Sequence, residues 1–314
     1  MSSAGDGGAR GVRRWRPPPR LARLAPHCSR CSRGLAHGLL AAAVTGLGGG
    51  VGGAAAQWVE EPGKGWIALA VYHQDTRERF GIGGDTRALF ADGHAVTTSS
   101  FLTVAMGLVP GIDLWSQLSF HRLRYDDVAG KRSSTGVGDT RLWLRAAPLK
   151  WLGSGLPFAV RAGFKVPAGD FDVDAEVIPL GDGQRDWEVL AEVGHSFWPL
   201  SLYLSGWVGY RWREENAEAR KDFGDEVFYF AQIGGRLGRF GYRLAVDGWD
   251  GAAGVTEGVP IPNFQRDLVQ LQPSLLYDVG PGQIEAGARF ALKGRNLPAG
   301  TALMFKYFTG WEPF

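Results

Sequence analysis

Three stretches of this chain alternate apolar and polar residues with a period of two. In Phe158 to Val166, the residues Phe158, Val160, Ala162, Phe164 and Val166 share one face, and Ala159, Arg161, Gly163 and Lys165 share the other. From Leu200 to Trp212, the run Leu200, Leu202, Leu204, Gly206, Val208, Tyr210 and Trp212 opposes Ser201, Tyr203, Ser205, Trp207, Gly209 and Arg211. Between Gln283 and Lys293, Ile284, Ala286, Ala288, Phe290 and Leu292 oppose Glu285, Gly287, Arg289, Ala291 and Lys293. Successive side chains of a strand point to opposite faces, so each stretch reads as a strand with one apolar side. The same reading over the whole chain predicts twelve strands: 65–74, 96–108, 112–125, 138–147, 156–167, 185–195, 200–213, 226–237, 239–249, 267–279, 283–293 and 301–309.

The links between them alternate in length. Val109-Pro110-Gly111, Phe197-Trp198-Pro199, Gly238 and Gly280-Pro281-Gly282 are tight, and 148–155 is a little longer. The intervening links 75–95, 126–137, 168–184, 214–225 and 250–266 are long and polar, with a shorter one at 294–300. Long strands in even number, with short turns at one end and long loops at the other, are the signature of a transmembrane antiparallel β-barrel. Strands of a soluble sandwich run to about five or six residues. Trp66, Tyr72, Trp115, Tyr125, Trp187, Tyr210, Trp212, Tyr242, Tyr277 and Tyr307 fall near strand ends, where interfacial girdles are expected. Hydrocarbon offers no hydrogen-bond partner, so such a sheet must close on itself. Pro273, which removes one ladder donor, then requires a local irregularity.

Charge adds a compartment. The chain carries 34 Lys and Arg against 32 Asp and Glu. Residues 1–56 hold eight of these bases (Arg10, Arg13, Arg14, Arg16, Arg20, Arg23, Arg30 and Arg33) and one acid, Asp6. From residue 57 onward 26 bases face 31 acids, so the remainder is acidic. A basic segment, an uncharged run from Leu35 to Ala56 and the ending Ala54-Ala55-Ala56 predict a signal peptide over 1–56 and a barrel over 57–314. A membrane-spanning helix is the rival reading, weakened by seven Gly in that run. The chain's two Cys, Cys28 and Cys31, fall within the predicted signal. The basic segment lacks the aromatic fold of a nucleic-acid surface, and no nucleic-acid partner is expected.

With the apolar faces toward lipid, the opposite faces line the interior. They place there the candidate pore-lining residues Arg141, Arg145, Arg161, Lys165, Asp186, Glu188, Glu192, Arg211, Arg243, Asp247, Glu285 and Arg289. Asp139, Glu226, Arg236 and Lys293 share that register. Charges survive inside a barrel only where water or partners reach them. Bases facing acids across a pore would filter solutes by charge, whereas pairing between neighbouring strands would brace a narrow tube. Inward Trp143, Tyr203, Trp207, Phe228, Phe230 and Trp249 offer stacking surfaces to an aromatic solute, or else fill a small interior. Asp170, Asp172, Asp174 and Glu176 alternate on one side of a link but lack the EF-hand spacing, and read as an exposed acidic loop. His73, His94, His121 and His195 fall in no recognisable nucleophile–base context, so neither catalysis, metal nor cofactor is expected.

Several segments resemble an outer-membrane family named after the meta pathway of phenol degradation, barrel transporters of Gram-negative bacteria. They are Gly136-Val137-Gly138-Asp139-Thr140-Arg141-Leu142, Val160 to Pro167 with Ala168-Gly169-Asp170, Leu180-Gly181-Asp182-Gly183-Gln184-Arg185-Asp186, Trp207-Val208-Gly209-Tyr210-Arg211 and Gln272-Pro273-Ser274-Leu275. The resemblance spans most of residues 57–314, through short, Gly-rich motifs. At the end, Pro313 precedes Phe314, which is out of register with Leu303, Phe305 and Tyr307. The resemblance implies passage of small aromatic or apolar compounds through a channel in the Gram-negative outer membrane. Lipid bilayer and lipopolysaccharide are the expected surroundings, and a monomer is the default for a self-closing barrel. A closed barrel acting as a receptor or structural protein through its loops is the alternative, and a lipid-processing enzyme a third.

Overall fold

The computed structural model describes residues 59–167, 178–217, 220–256, 258–261 and 265–312. The signal peptide expected over 1–56 and the acidic run Asp170 to Glu176 lie outside the described residues. Twelve long strands form the wall: β1 (Gly65–Thr76), β2 (His94–Val109), β3 (Ile112–Asp127), β4 (Thr140–Ala146), β5 (Phe158–Val166), β6 (Asp186–Ser196), β7 (Leu202–Arg213), β8 (Glu226–Leu237), β9 (Phe240–Gly251), β10 (Asp267–Val279), β11 (Gly282–Arg295) and β12 (Thr301–Trp311). Each pairs antiparallel with its chain neighbours, and β12 returns to β1 in a register running from Gly65↔Trp311 to Gln74↔Ala302. The twelve wall strands close on themselves, which is what a hydrocarbon surround demands.

The burial pattern is inside out relative to a soluble core. Leu275 is 70 % exposed and Leu303 63 %, whereas Arg145 and Lys165 are 2 % exposed and Glu192 is fully buried. Exposed Leu69, Leu118, Phe120, Leu144, Val189 and Leu244 continue the apolar outer surface around the wall. Trp187, Tyr210 and Trp212 mark its loop end, where Trp212 is paired across strands with Trp187. Phe240 and Tyr277 mark the turn end, with ring centroids 4.8 Å apart. Trp311, the last residue of β12, keeps the outward register of Leu303 and Phe305, and Phe314 lies outside the described residues.

Three expectations are corrected. Trp66, Tyr72, Trp115 and Tyr125 do not belong to an outer girdle. They share the inward register, and Trp66 packs edge-on against Trp115 at 4.7 Å, inside the barrel. The link 126–137 is no long loop: residues Gly130–Val137 pair with β3 from Asp127↔Gly130 to Phe120↔Val137. Gly130, at φ 133°, makes the tight turn. This hairpin rises beyond the apolar belt with both faces polar, so no hydrophobic alternation betrays it. Lys293 leaves the inward register because a bulge between Val269 and Gln270 sets it opposite outward Val269. The ladder from β10 to β11 also lapses at Gln272 and Pro273 and resumes at Ser274↔Gly287, which accommodates the missing donor.

Ahead of β1, residues 59–64 close in against the turn end. Val59 is buried against Ala147 and Ala159. The Gly63 N–H donates to the Gly107 carbonyl at 3.0 Å, and the Gly107 N–H to the Lys64 carbonyl at 2.9 Å.

Candidate functional site

The alternation that points Leu and Val outward forces every Arg, Lys, Asp and Glu of the inward register into one narrow space. All twelve sequence-predicted charged residues face it, and each lies within 4 Å of an opposite charge on the adjacent strand, on the next strand but one or, for Lys165, also just outside the strands. At the turn end, Arg145 bridges Asp113 at 2.6 Å and Glu192 at 3.4 Å, and Arg161 reaches Glu192 at 3.0 Å. Both guanidinium groups lie over the Trp115 ring, at 4.6 and 4.8 Å. On the opposite wall Glu285 receives Arg243, Lys306 at 3.2 Å and the Ser274 hydroxyl at 2.7 Å.

A second network occupies the loop half. Glu188 accepts from the Trp143 indole N–H, from Arg211 at 2.9 Å and from Arg141 at 3.3 Å. Arg211 and Arg213 share Glu226 at 2.7 and 2.8 Å. Lys165 lies within 3.1 Å of Asp139 and 2.9 Å of both Asp182 and Asp186. Burial alone would raise the Asp182 carboxyl, but Lys165 and Arg213 outweigh it and hold the group well below the usual carboxylate range. Across the barrel, Gln272 donates to Asp247 at 2.5 Å, and Arg289 lies 3.8 Å from Asp247 and 4.1 Å above the Tyr72 ring. The charges form pairs and clusters along the wall, several of them reaching over an intervening strand.

The aromatic candidates separate. Trp207 stacks on Phe230 at 5.8 Å and 16° and meets Phe228 edge-on at 5.2 Å. These three form one aromatic surface, capped on one side by Arg211 over Phe228 at 4.6 Å. Tyr203 lies apart against Gly234, and Trp143 is engaged by Glu188. Trp249 is taken up at the loop end by Phe80, Leu268 and Ala299, because the link after β1 folds Phe80 inward.

Sequence reasoning missed Asp113, Asp182, Arg213 and Lys306 as network members. Asp113, Arg213 and Lys306 sit on the inward alternation and were open to the same test. Asp182 lies in a link, where no periodicity gives direction. Among the described residues, no group of three or more His, Cys, Asp or Glu is arranged to hold a metal ion.

An inside-out antiparallel barrel with a charged interior defines an outer-membrane-type β-barrel. The chain belongs to the family described as the MetA-pathway of phenol degradation, whose model matches residues 78–307. Among solved structures, the COG4313 outer membrane channel of Pseudomonas putida F1 is similar at 14 % identity. That match covers 81 % of this chain and 97 % of that one, with a TM-score of 0.61. The monoaromatic hydrocarbon channel CymD matches at 9 % identity over 81 % of this chain and 90 % of its own, with a TM-score of 0.42. The toluene transporter TbuX of Ralstonia pickettii gives 9 % identity, the same two coverages and a TM-score of 0.40. At such identities the first likeness speaks for the fold alone. No curated protein matches the sequence.

Proposed function

We propose that this protein is an outer-membrane channel for the passive passage of small aromatic or apolar molecules, exported by its signal peptide. Membership of a family tied to phenol degradation supports the solute class. The observation that carries the reading is the continuous surface of Trp207, Phe228 and Phe230 inside a wall whose charges are otherwise paired. A π-face flanked by ion pairs gives a flat ring somewhere to stack without stripping water from a free charge. In this reading the twelve inward charges line the pore and shape it, the short turns face the periplasm, and the barrel works as a monomer among lipid and lipopolysaccharide.

A second reading, a closed barrel acting through its loops, has its own support in the buried Arg145–Asp113–Glu192 layer and in Val59 packed beside Ala147. Conductance across a planar bilayer distinguishes the two. A channel gives discrete steps that benzoate lowers, and Trp207→Ala weakens that block. Absence of any step or leak selects the closed barrel, and an unaltered benzoate block in Trp207→Ala removes the aromatic surface from the path.

A further inference from the structure

From β1 through β10, the outward register of the described strands carries just two Lys or Arg residues, and both are on β3. Outward along β3 run Leu114, Leu118 and Phe120, each exposed, and then Arg122 and Arg124. The change from apolar to cationic takes one step of the alternation, about 7 Å along the strand. The register widens it into rows: Phe120 is beside Ser100 and Val137, while Arg122 is beside Thr98 and Thr135. Lys131, opposite Asp126 in the hairpin above, extends the cationic side.

The acids nearby have partners of their own. Asp75 lies 2.6 Å from His94, and Asp126 lies 3.6 Å from Arg124. Arg122 and Lys131 have no ion pair among the described residues, and both are exposed. The other outward strands meet the loop-end boundary differently, with Trp187, Tyr210 and Trp212 on β6 and β7 and Leu292 on β11.

We propose that this strip of β3 and its hairpin binds the phosphorylated headgroup of an outer-leaflet glycolipid, whose acyl chains lie along Phe120 and Leu118. Two features select that occupant. Guanidinium groups match phosphate oxygens bidentately, and the cations directly adjoin a lipid-facing apolar row, so one molecule with a phosphate head and an acyl tail meets both. A soluble anion would use only the first. The inference rests on the outer-membrane placement proposed above, with the long loops outside, and is independent of the solute.

The test uses the full barrel in neutral detergent, titrated with bisphosphorylated lipid A and followed by native mass spectrometry. The wild type is expected to retain the lipid, with affinity falling about fivefold per cation removed in Arg122→Gln and Lys131→Gln, and less in Arg124→Gln, whose guanidinium is shared with Asp126. Arg122→Lys should recover part of the loss, and Lys293→Gln, an exposed cation on β11, should change nothing. Equal binding by the triple variant, equal loss in Lys293→Gln, or equal affinity for dephosphorylated lipid A would overturn the proposal. Complete displacement by millimolar inorganic phosphate would also overturn it, since the strip would then be a small-anion site. All three side chains face away from the interior, so bilayer conductance stays at the wild-type level and reports on the channel separately.

Discussion

Asp113 and Arg145, on adjacent strands β3 and β4, meet at 2.6 Å with side chains 0 % and 2 % exposed. The same carboxylate accepts the Glu60 backbone N–H at 3.0 Å, so one side chain both neutralises a buried cation and ties the segment before β1 to the wall. Removing one member of a buried pair leaves the other charged and unpaired, at a cost of about 3–5 kcal/mol. Asp113→Ala is expected to lose stability toward the lower end of that range, because Glu192 stays 3.4 Å from Arg145. Urea unfolding in micelles, followed by tryptophan fluorescence, measures it. A loss below about 1 kcal/mol, the scale of an exposed pair, would mean that water reaches Arg145 freely.

Gly163 sits between the inward Trp143 side chain and the β4 backbone, which leave it no room. A Cβ there would lie 2.1 Å from Cδ1 of Trp143 and 2.8 Å from the Leu142 carbonyl. Gly163→Ala must therefore push back the Trp143 ring and its bond to Glu188, an overpacking cost of about 1–3 kcal/mol. Gly155, with nothing within 4 Å of its added Cβ, is the control and should tolerate Ala without change. Parallel unfolding curves of the two variants settle the comparison.

Acid should spare the 178–184 link longer than an ordinary carboxylate would allow. Asp182 anchors this link to Lys165 and to Arg213, each within 2.9 Å. Its carboxyl titrates below the usual 3.8 in the folded barrel. A depressed carboxyl contributes stability that is present above the unfolded value and is lost as pH falls through the folded one. Protection of this link against hydrogen exchange should hold from neutral pH down to about 3.8 and fall only below it. Asp182→Asn should lower protection at neutral pH and flatten the acid response; an unchanged profile would remove Asp182 as the anchor.

How much was legible in the sequence follows from where lipid acts. On the wall, hydrocarbon outside and charge inside impose strict alternation, so all twelve strands and the inward direction of Arg145, Glu188 and Arg243 could be read directly. Beyond the belt both faces meet water, and the hairpin at 130–137 gave no such signal. Phe80 and Asp182 act from links, where direction comes from tertiary packing. Trp66 and Trp115 illustrate a different limit. Aromatic type near a strand end suggests a girdle, but register decides the face, and theirs is the face of Arg145. Lys293 shows the same dependence, since one bulge residue reverses its side.

The last consequence concerns Glu60, just ahead of β1. Burial, only partly offset by Arg145 and reinforced by the Asp113 charge, raises its carboxyl above the ordinary 4.5. The seated segment therefore disfavours the ionised form. For a raised carboxyl, the seated state is most stable below the unfolded value and weakens as pH rises through the folded one. Protection factors for the Gly63 and Gly107 N–H groups, which hold the segment to β2, should accordingly fall as pH climbs from about 4.5 toward neutrality. Glu60→Gln removes the ionisable group and keeps the backbone bond to Asp113, so its protection should stay high and level over the same range. If the variant shows the same decline, the charge on Glu60 does not govern the seating of residues 59–64.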